Sequence, residues 1–189
     1  LPLLAQVRAA RHKLQTFRAL RSRNFRWFWF NTSGGGLAQG MQFLILGWLM
    51  LELTDSPSQL GLVLFLYGIP NLSLVMFGGI FADRVARRTL LLATQATVTM
   101  VVLVLATLTT LELVETWHVY AAGFILGTLQ ALNMPARLAI VVDLVDRADV
   151  MNAVSLNSSM MFTGRIIGPA AAGAIIELTD IGPALFLNA

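Results

Sequence analysis

Gly79-Ile80-Phe81-Ala82-Asp83-Arg84-Val85-Ala86-Arg87-Arg88-Thr89-Leu90-Leu91 is a charged hinge between two apolar runs, and its reading decides the fold. Upstream, Leu60 to Ala82 carries one ionisable group, the phenol of Tyr67, and downstream, Thr89 to Leu111 carries none. Crossing the hydrocarbon core of a bilayer as a helix takes about 20 predominantly apolar residues, and each run is long enough. The hinge is therefore a tight turn at a membrane face.

The rest of the chain repeats this pattern. Hydrophobic residues make up 57% of it and charged ones 12%, which sets it apart from soluble domains and marks a polytopic membrane protein. Reading outward, span 1 runs from about Trp27 to Leu51, span 2 from 60 to 81, span 3 from 90 to 111, span 4 from 118 to 142 and span 5 from 151 to 176. A sixth starts near Pro183. Pro135 is expected to interrupt span 4. Span 3, with Gln95 as its single amide, suits a helix that faces lipid on much of its surface.

Residues 1–26 form a basic segment in which Phe17, Leu20 and Phe25 lie among Arg8, Arg11, Lys13, Arg18, Arg21, Arg23 and Arg26. The apolar stretch behind it is too long for a signal-peptide core and lacks a small-residue cleavage site, so the segment reads as amphipathic and interfacial. With the amino terminus inside, the inner segments hold those seven basic residues plus Arg84, Arg87, Arg88 and Arg147. The outer turns hold only Glu52, Asp55, Glu112, Glu115, Glu177 and Asp180, so the positive-inside rule favours a cytoplasmic amino terminus. This placement also accounts for the net charge of +3 without nucleic acid as a partner. No cysteine is present, which excludes disulfides and thiol chemistry.

The hinge resembles the loop G-x-L-A-D-R-x-G-R-R/K-x-x-L between helices 2 and 3 of the major facilitator superfamily. Gly79, Ala82, Asp83, Arg84, Arg87, Arg88 and Leu91 match, Phe81 stands for Leu and Ala86 for the second Gly. From Phe17 onward further blocks are similar to the enterobactin-exporter branch: 17–26, 47–49 with 53–57, 127–137, 164–173 and 186–189. The resemblance implies an all-α membrane protein of twelve helices in two six-helix halves, with this chain the amino-terminal half, cut within helix 6. It also implies that Asp83, Arg87 and Asp143 form a charge relay that latches the inner gate.

Arg165 lies near the middle of span 5, where a charge is expensive and by default marks a functional site. It either binds an anionic or carbonyl-rich substrate group, or pairs with an acid outside this chain, or bonds carbonyls freed around Gly164, Gly168 and Pro169. Asn31, Gln39 and Gln42 on span 1, Asn71 on span 2, and Gln130, Asn133 and Arg137 on span 4 recur at helical spacing. With Arg165 these polar stripes are expected to converge on one interior cavity. Each amide serves equally well as interhelical glue. Gly127, Pro135, Gly164, Gly168, Pro169 and Gly173 read as packing positions.

No P-loop, dinucleotide motif, metal-ligand spacing or nucleophile constellation occurs, so neither an enzyme nor a cofactor or metal is expected. The resemblance implies a secondary active transporter of the bacterial inner membrane. By resemblance it is an ion-gradient-driven exporter, an antiporter carrying a siderophore-like or drug-like molecule by alternating access. Its partners are that small molecule, the bilayer and a carboxy-terminal half. The alternative is a non-transporting scaffold or half-size protein that dimerises through its small-residue faces.

Overall fold

The computed structural model describes the backbone of residues 18–82 and 86–189 and the side chains of residues 18–74 and 86–189. A 3-10 turn at Arg18–Arg21 leads into α1 (Arg23–Thr54), α2 (Pro57–Ala82), α3 (Arg87–Thr110) and α4 (Thr116–Asp143). A second 3-10 turn at Arg147–Asp149 precedes α5 (Val150–Leu178) and α6 (Ile181–Asn188). Among the described residues there is no strand. Four of these helices, α1, α3, α4 and α5 with its leading turn, are long and apolar enough to cross a membrane, and α2 has 26 residues.

The ends of the helices follow from local chemistry. Ser22 caps α1 by accepting the Phe25 N–H (3.4 Å), and its own hydroxyl donates to the Leu144 carbonyl (3.0 Å). Asp55 takes the left-handed region (φ 47°) to stop α1, and Pro57 opens α2, where its missing N–H is no loss. Glu115 and His118 form a reciprocal cap on α4, and Asp180 accepts the Ile181 N–H (3.1 Å) to start α6. Ala86, which replaces a family glycine, precedes α3 at φ −56°, a region any residue adopts.

Two boundaries differ from the sequence reading. Helix α1 begins at Arg23 rather than near Trp27, so Asn24, Phe25 and Arg26 are its first turn rather than a separate segment; residues 1–17 lie outside the described residues. Helix α4 runs unbroken through Pro135, as α2 and α5 do through Pro70 and Pro169. A membrane helix keeps going past proline where packing and local adjustment re-satisfy the freed carbonyl.

The long helix crossings are α1 with α5 and α2 with α4, and α3 lies against α6. Helix α3 also lies against α4, which links the two main crossings. Glycines set both main seams. At α1 with α5, a Cβ on Gly164 would lie 2.4 Å from the Gly36 carbonyl carbon, and one on Gly168 2.6 Å from the Leu37 carbonyl oxygen. At α4 with α2, a Cβ on Gly127 would sit 2.1 Å from the Tyr67 carbonyl oxygen. Only glycine permits backbones this close. Gly173 does not join these seams: a Cβ there meets nothing within 4 Å. Nine residues from Gly164 at about 100° per residue turn it to the opposite face of α5.

The main core lies between these helices around Ile45, Leu49, Met50, Val63, Val102, Leu126 and Leu185. A second cluster of Ala19, Phe25, Val141 and Ala153 binds the leading 3-10 turn to α4 and α5. There Arg18 pairs with Asp149 (3.0 Å), and the Ala19 N–H donates to Asn152 Oδ1 (3.1 Å). On α3, Leu92, Met100, Leu103 and Val104 are exposed, and Thr97 and Thr107 return their hydroxyls to carbonyls four residues back. A face so arranged suits lipid, because each hydroxyl is satisfied within its own helix.

Candidate functional site

Gln39, Asn71, Gln130 and Arg165 each fall within two residues of the midpoint of their helix, α1, α2, α4 and α5 respectively. They line one cavity of about 350 Å³, completed by Gly40, Phe43, Tyr67 and Pro169. Arg165 Nε donates to Gln39 Oε1 at 3.1 Å. Phe43 meets Tyr67 edge to face, with ring centroids 5.9 Å apart. Arg165 is exposed, and no acidic residue stands among the described lining. Such a pocket offers a fixed cation, three amides and a phenol to a polar ligand at mid-depth, with two aromatic rings for its apolar part.

The polar stripes do not meet in one cavity. Asn31 to Gln42 shares one face of α1, but eleven residues at about 1.5 Å each spread that stripe over roughly 16 Å of depth. Three spaces follow from this. The mid-depth cavity is the first. A narrow one of about 40 Å³ lies inside the bundle, where Gln39, Tyr67 and Gln130 recur beside Gln42, Asn133 and Arg137. The third, of about 660 Å³, opens at the end of the bundle that carries the basic residues and includes Asn31 and Arg137. Adjacent spaces share walls, the first two through Gln39, Tyr67 and Gln130, the last two through Gln95 and Arg137.

Asn133 is buried and accepts the Thr94 hydroxyl at 2.6 Å, a link between α4 and α3. Here an amide acts as interhelical glue while also bordering the narrow space. Arg137 stretches across Gly35, with both terminal nitrogens 3.6 Å from where a Cβ would be.

At the basic end Arg87 Nη1 lies 2.7 Å from Asp143 Oδ2, joining α3 to the last residue of α4. Arg88, one residue on, faces the large cavity instead. Asp83 and Arg84 lie outside the described residues, as does everything about Gly79 beyond its backbone in α2.

Sequence reasoning passed over Tyr67, Phe43, Thr94, Asn24, Trp27 and Gln95 as lining or linking groups. Tyr67 had a legible signal, standing one helical turn before Asn71 and so on the same face. Thr94 had none, since its partner is 39 residues away on another helix.

Comparison with known proteins agrees with this architecture. Residues 14–189 match the transmembrane secretion effector family. The chain is 33% identical over 145 residues to the staphyloferrin A transporter of Staphylococcus aureus (strain NCTC 8325 / PS 47), covering 75% of this chain and 36% of that protein. It is 25% identical over 138 residues to an uncharacterized MFS-type transporter, YfiS, of Bacillus subtilis (strain 168), covering 73% of this chain and 32% of that protein. The matched stretch is thus about a third of the length of each relative. Helices of membrane-spanning length among the described residues, a mid-depth polar cavity and these matches converge: the chain is a multi-pass membrane protein that belongs to the transmembrane secretion effector family of major facilitator transporters, a family of carriers rather than enzymes.

Proposed function

We propose that this chain is the amino-terminal half of an exporter that moves a carboxylate-bearing, siderophore-like molecule across the bacterial cytoplasmic membrane. The observation that carries the reading is Arg165, a guanidinium at mid-depth held by Gln39 (3.1 Å) in a cavity with no described acid to neutralise it. A permanently charged group there is costly unless it receives an anion, and its planar fork matches a carboxylate. Asn71 and Gln130 supply further hydrogen bonds, and Phe43 and Tyr67 an apolar wall. A relative that carries staphyloferrin A supports this substrate class.

The basic end then faces the cytoplasm, because every lysine and arginine outside the spans belongs to it while the opposite turns hold only acids. A carboxy-terminal half closes the open side of the cavity. Alternating access follows from rocking the two halves about the fixed mid-depth site, driven by an ion gradient. The Arg87–Asp143 pair is the described part of the inner-gate latch that the resemblance implies, and it closes the cytoplasmic side in the outward-open state.

The test is export from cells carrying the full transporter, with labelled staphyloferrin A as probe. Arg165→Gln is expected to lower transport at least about tenfold, the scale of one charge-assisted hydrogen-bond set, with Arg165→Lys intermediate. Undiminished export by correctly inserted Arg165→Gln overturns the reading.

A further inference from the structure

The large cavity at the basic end holds two arginines with no described counter-charge. It lies between the first turns of α1, the first turns of α3 and the last turns of α4, where Asn24, Trp27, Asn31, Arg88, Gln95 and Arg137 line about 660 Å³. Among the described residues, the neighbouring acids Asp143 and Asp149 pair with Arg87 and Arg18, and Asp146 is outside the lining; Asp83 lies outside the described residues. Among the described residues neither Arg88 nor Arg137 makes an ion pair or hydrogen bond. Arg137 is nonetheless half-buried, laid over Gly35 where a side chain longer than a methyl would displace it.

A guanidinium drawn into a membrane protein without a partner is costly, and two in one cavity repel each other as well. An anion removes both penalties. We propose that this cavity is an anion site, separate from the mid-depth transport cavity, that takes one carboxylate or phosphate group. Arg137 binds it from the wall of α4 and Arg88 from the rim at α3, each able to donate two N–H groups to two oxygens. Asn24, Asn31 and Gln95 offer amides for the remaining lone pairs, and Trp27, 67% exposed, flanks the opening as interfacial tryptophans do. Asn31 and Gln39 are eight residues apart on α1, about 12 Å along the axis, so one small group cannot occupy both sites. A phospholipid headgroup and a soluble carboxylate or phosphate share this chemistry.

The experiment uses the full transporter in a neutral detergent, with Arg165→Gln as the background so that the mid-depth cationic site is absent. Thermal unfolding is titrated with phosphatidylglycerol, phosphatidylcholine, citrate and inorganic phosphate. Saturable stabilisation by phosphatidylglycerol but not phosphatidylcholine identifies a lipid occupant; stabilisation by citrate or phosphate identifies a soluble one. Either is expected to weaken about tenfold or more on adding Arg137→Gln or Arg88→Gln, less with Arg137→Lys, and to persist with Arg23→Gln, a surface arginine outside the cavity. Arg88, exposed on the rim, keeps the test informative if Arg137→Gln does not fold. No stabilisation by any of the anions, or stabilisation equal in the arginine variants, overturns the proposal.

Discussion

Replacing Gly164 with alanine tests whether the α1 with α5 seam is set by backbone contact. The added Cβ would lie 2.4 Å from the Gly36 carbonyl carbon, 2.6 Å from the Leu37 nitrogen and 2.8 Å from the Gly36 Cα. Carbon atoms in good contact sit about 3.5–4.0 Å apart, so α1 must retreat by roughly 1 Å along the whole crossing. All three obstacles are main chain and no rotamer change relieves them. Overpacking costs about 1–3 kcal/mol, and this site belongs at the upper end, while the gain in helix propensity from glycine to alanine returns about 1. Gly127→Ala, whose Cβ would lie 2.1 Å from the Tyr67 carbonyl oxygen, belongs to the same class. Gly34→Ala and Gly61→Ala meet nothing within 4 Å and keep only the propensity gain. The two sets are therefore expected to differ by about 3 kcal/mol, with Gly164→Ala and Gly127→Ala melting several degrees lower than Gly34→Ala and Gly61→Ala. The assay is thermal unfolding of the purified full transporter followed by loss of the monodisperse peak in size-exclusion chromatography. If Gly164→Ala and Gly127→Ala melt with Gly34→Ala and Gly61→Ala, the seams are not backbone-limited and the packing argument fails.

Other perturbations separate stability from function. Arg87 and Asp143 are 43% and 60% exposed, so Arg87→Gln or Asp143→Asn should cost less than about 1 kcal/mol of stability. If the pair acts as a latch, the same variants raise labelling of cysteines placed at the basic end, and the charge-swapped double variant lowers it again; labelling unchanged from wild type excludes the latch. Thr94→Val removes the 2.6 Å bond to buried Asn133 and should destabilise by about 0.6–1.7 kcal/mol, the range for such bonds in membranes. Adding Asn133→Leu should recover part of that loss, because no amide is then left unsatisfied, and a strictly additive double variant would show the two groups to be uncoupled.

The helices were legible in the sequence because a bilayer imposes a length. Apolar runs of that length, free of charge but for Arg137 and Arg165 and separated by charged or proline-bearing turns, leave little freedom over where each helix lies, and the caps at Ser22, Pro57 and Asp180 refine the ends by about a turn. The early start of α1 was hidden by Arg23 and Arg26, whose charges mark a membrane boundary but do not stop a helix from beginning outside it. Pro135 misled in the opposite direction, since composition cannot show whether neighbours will satisfy a freed carbonyl.

The site was legible in residue type but not in depth. Angular position explains why Gly173 stands apart from the seam of Gly164 and Gly168: four residues return to nearly the same face, and nine do not. Axial position explains why eight polar candidates divide among three spaces. A stripe fixes which side of a helix is polar, whereas depth depends on where the helix starts, and only the four residues closest to the helix midpoints share the first cavity. Counting from helix midpoints would have isolated Gln39, Asn71, Gln130 and Arg165. It would also have set Arg137 apart, because seven residues beyond Gln130 place it about 10 Å nearer the basic end. If both proposals hold, the two arginines receive separate counter-charges. A single substrate group bound by Arg165 leaves Arg137 as exposed to its desolvation cost as before, which is the physical ground for treating the two cavities as two sites.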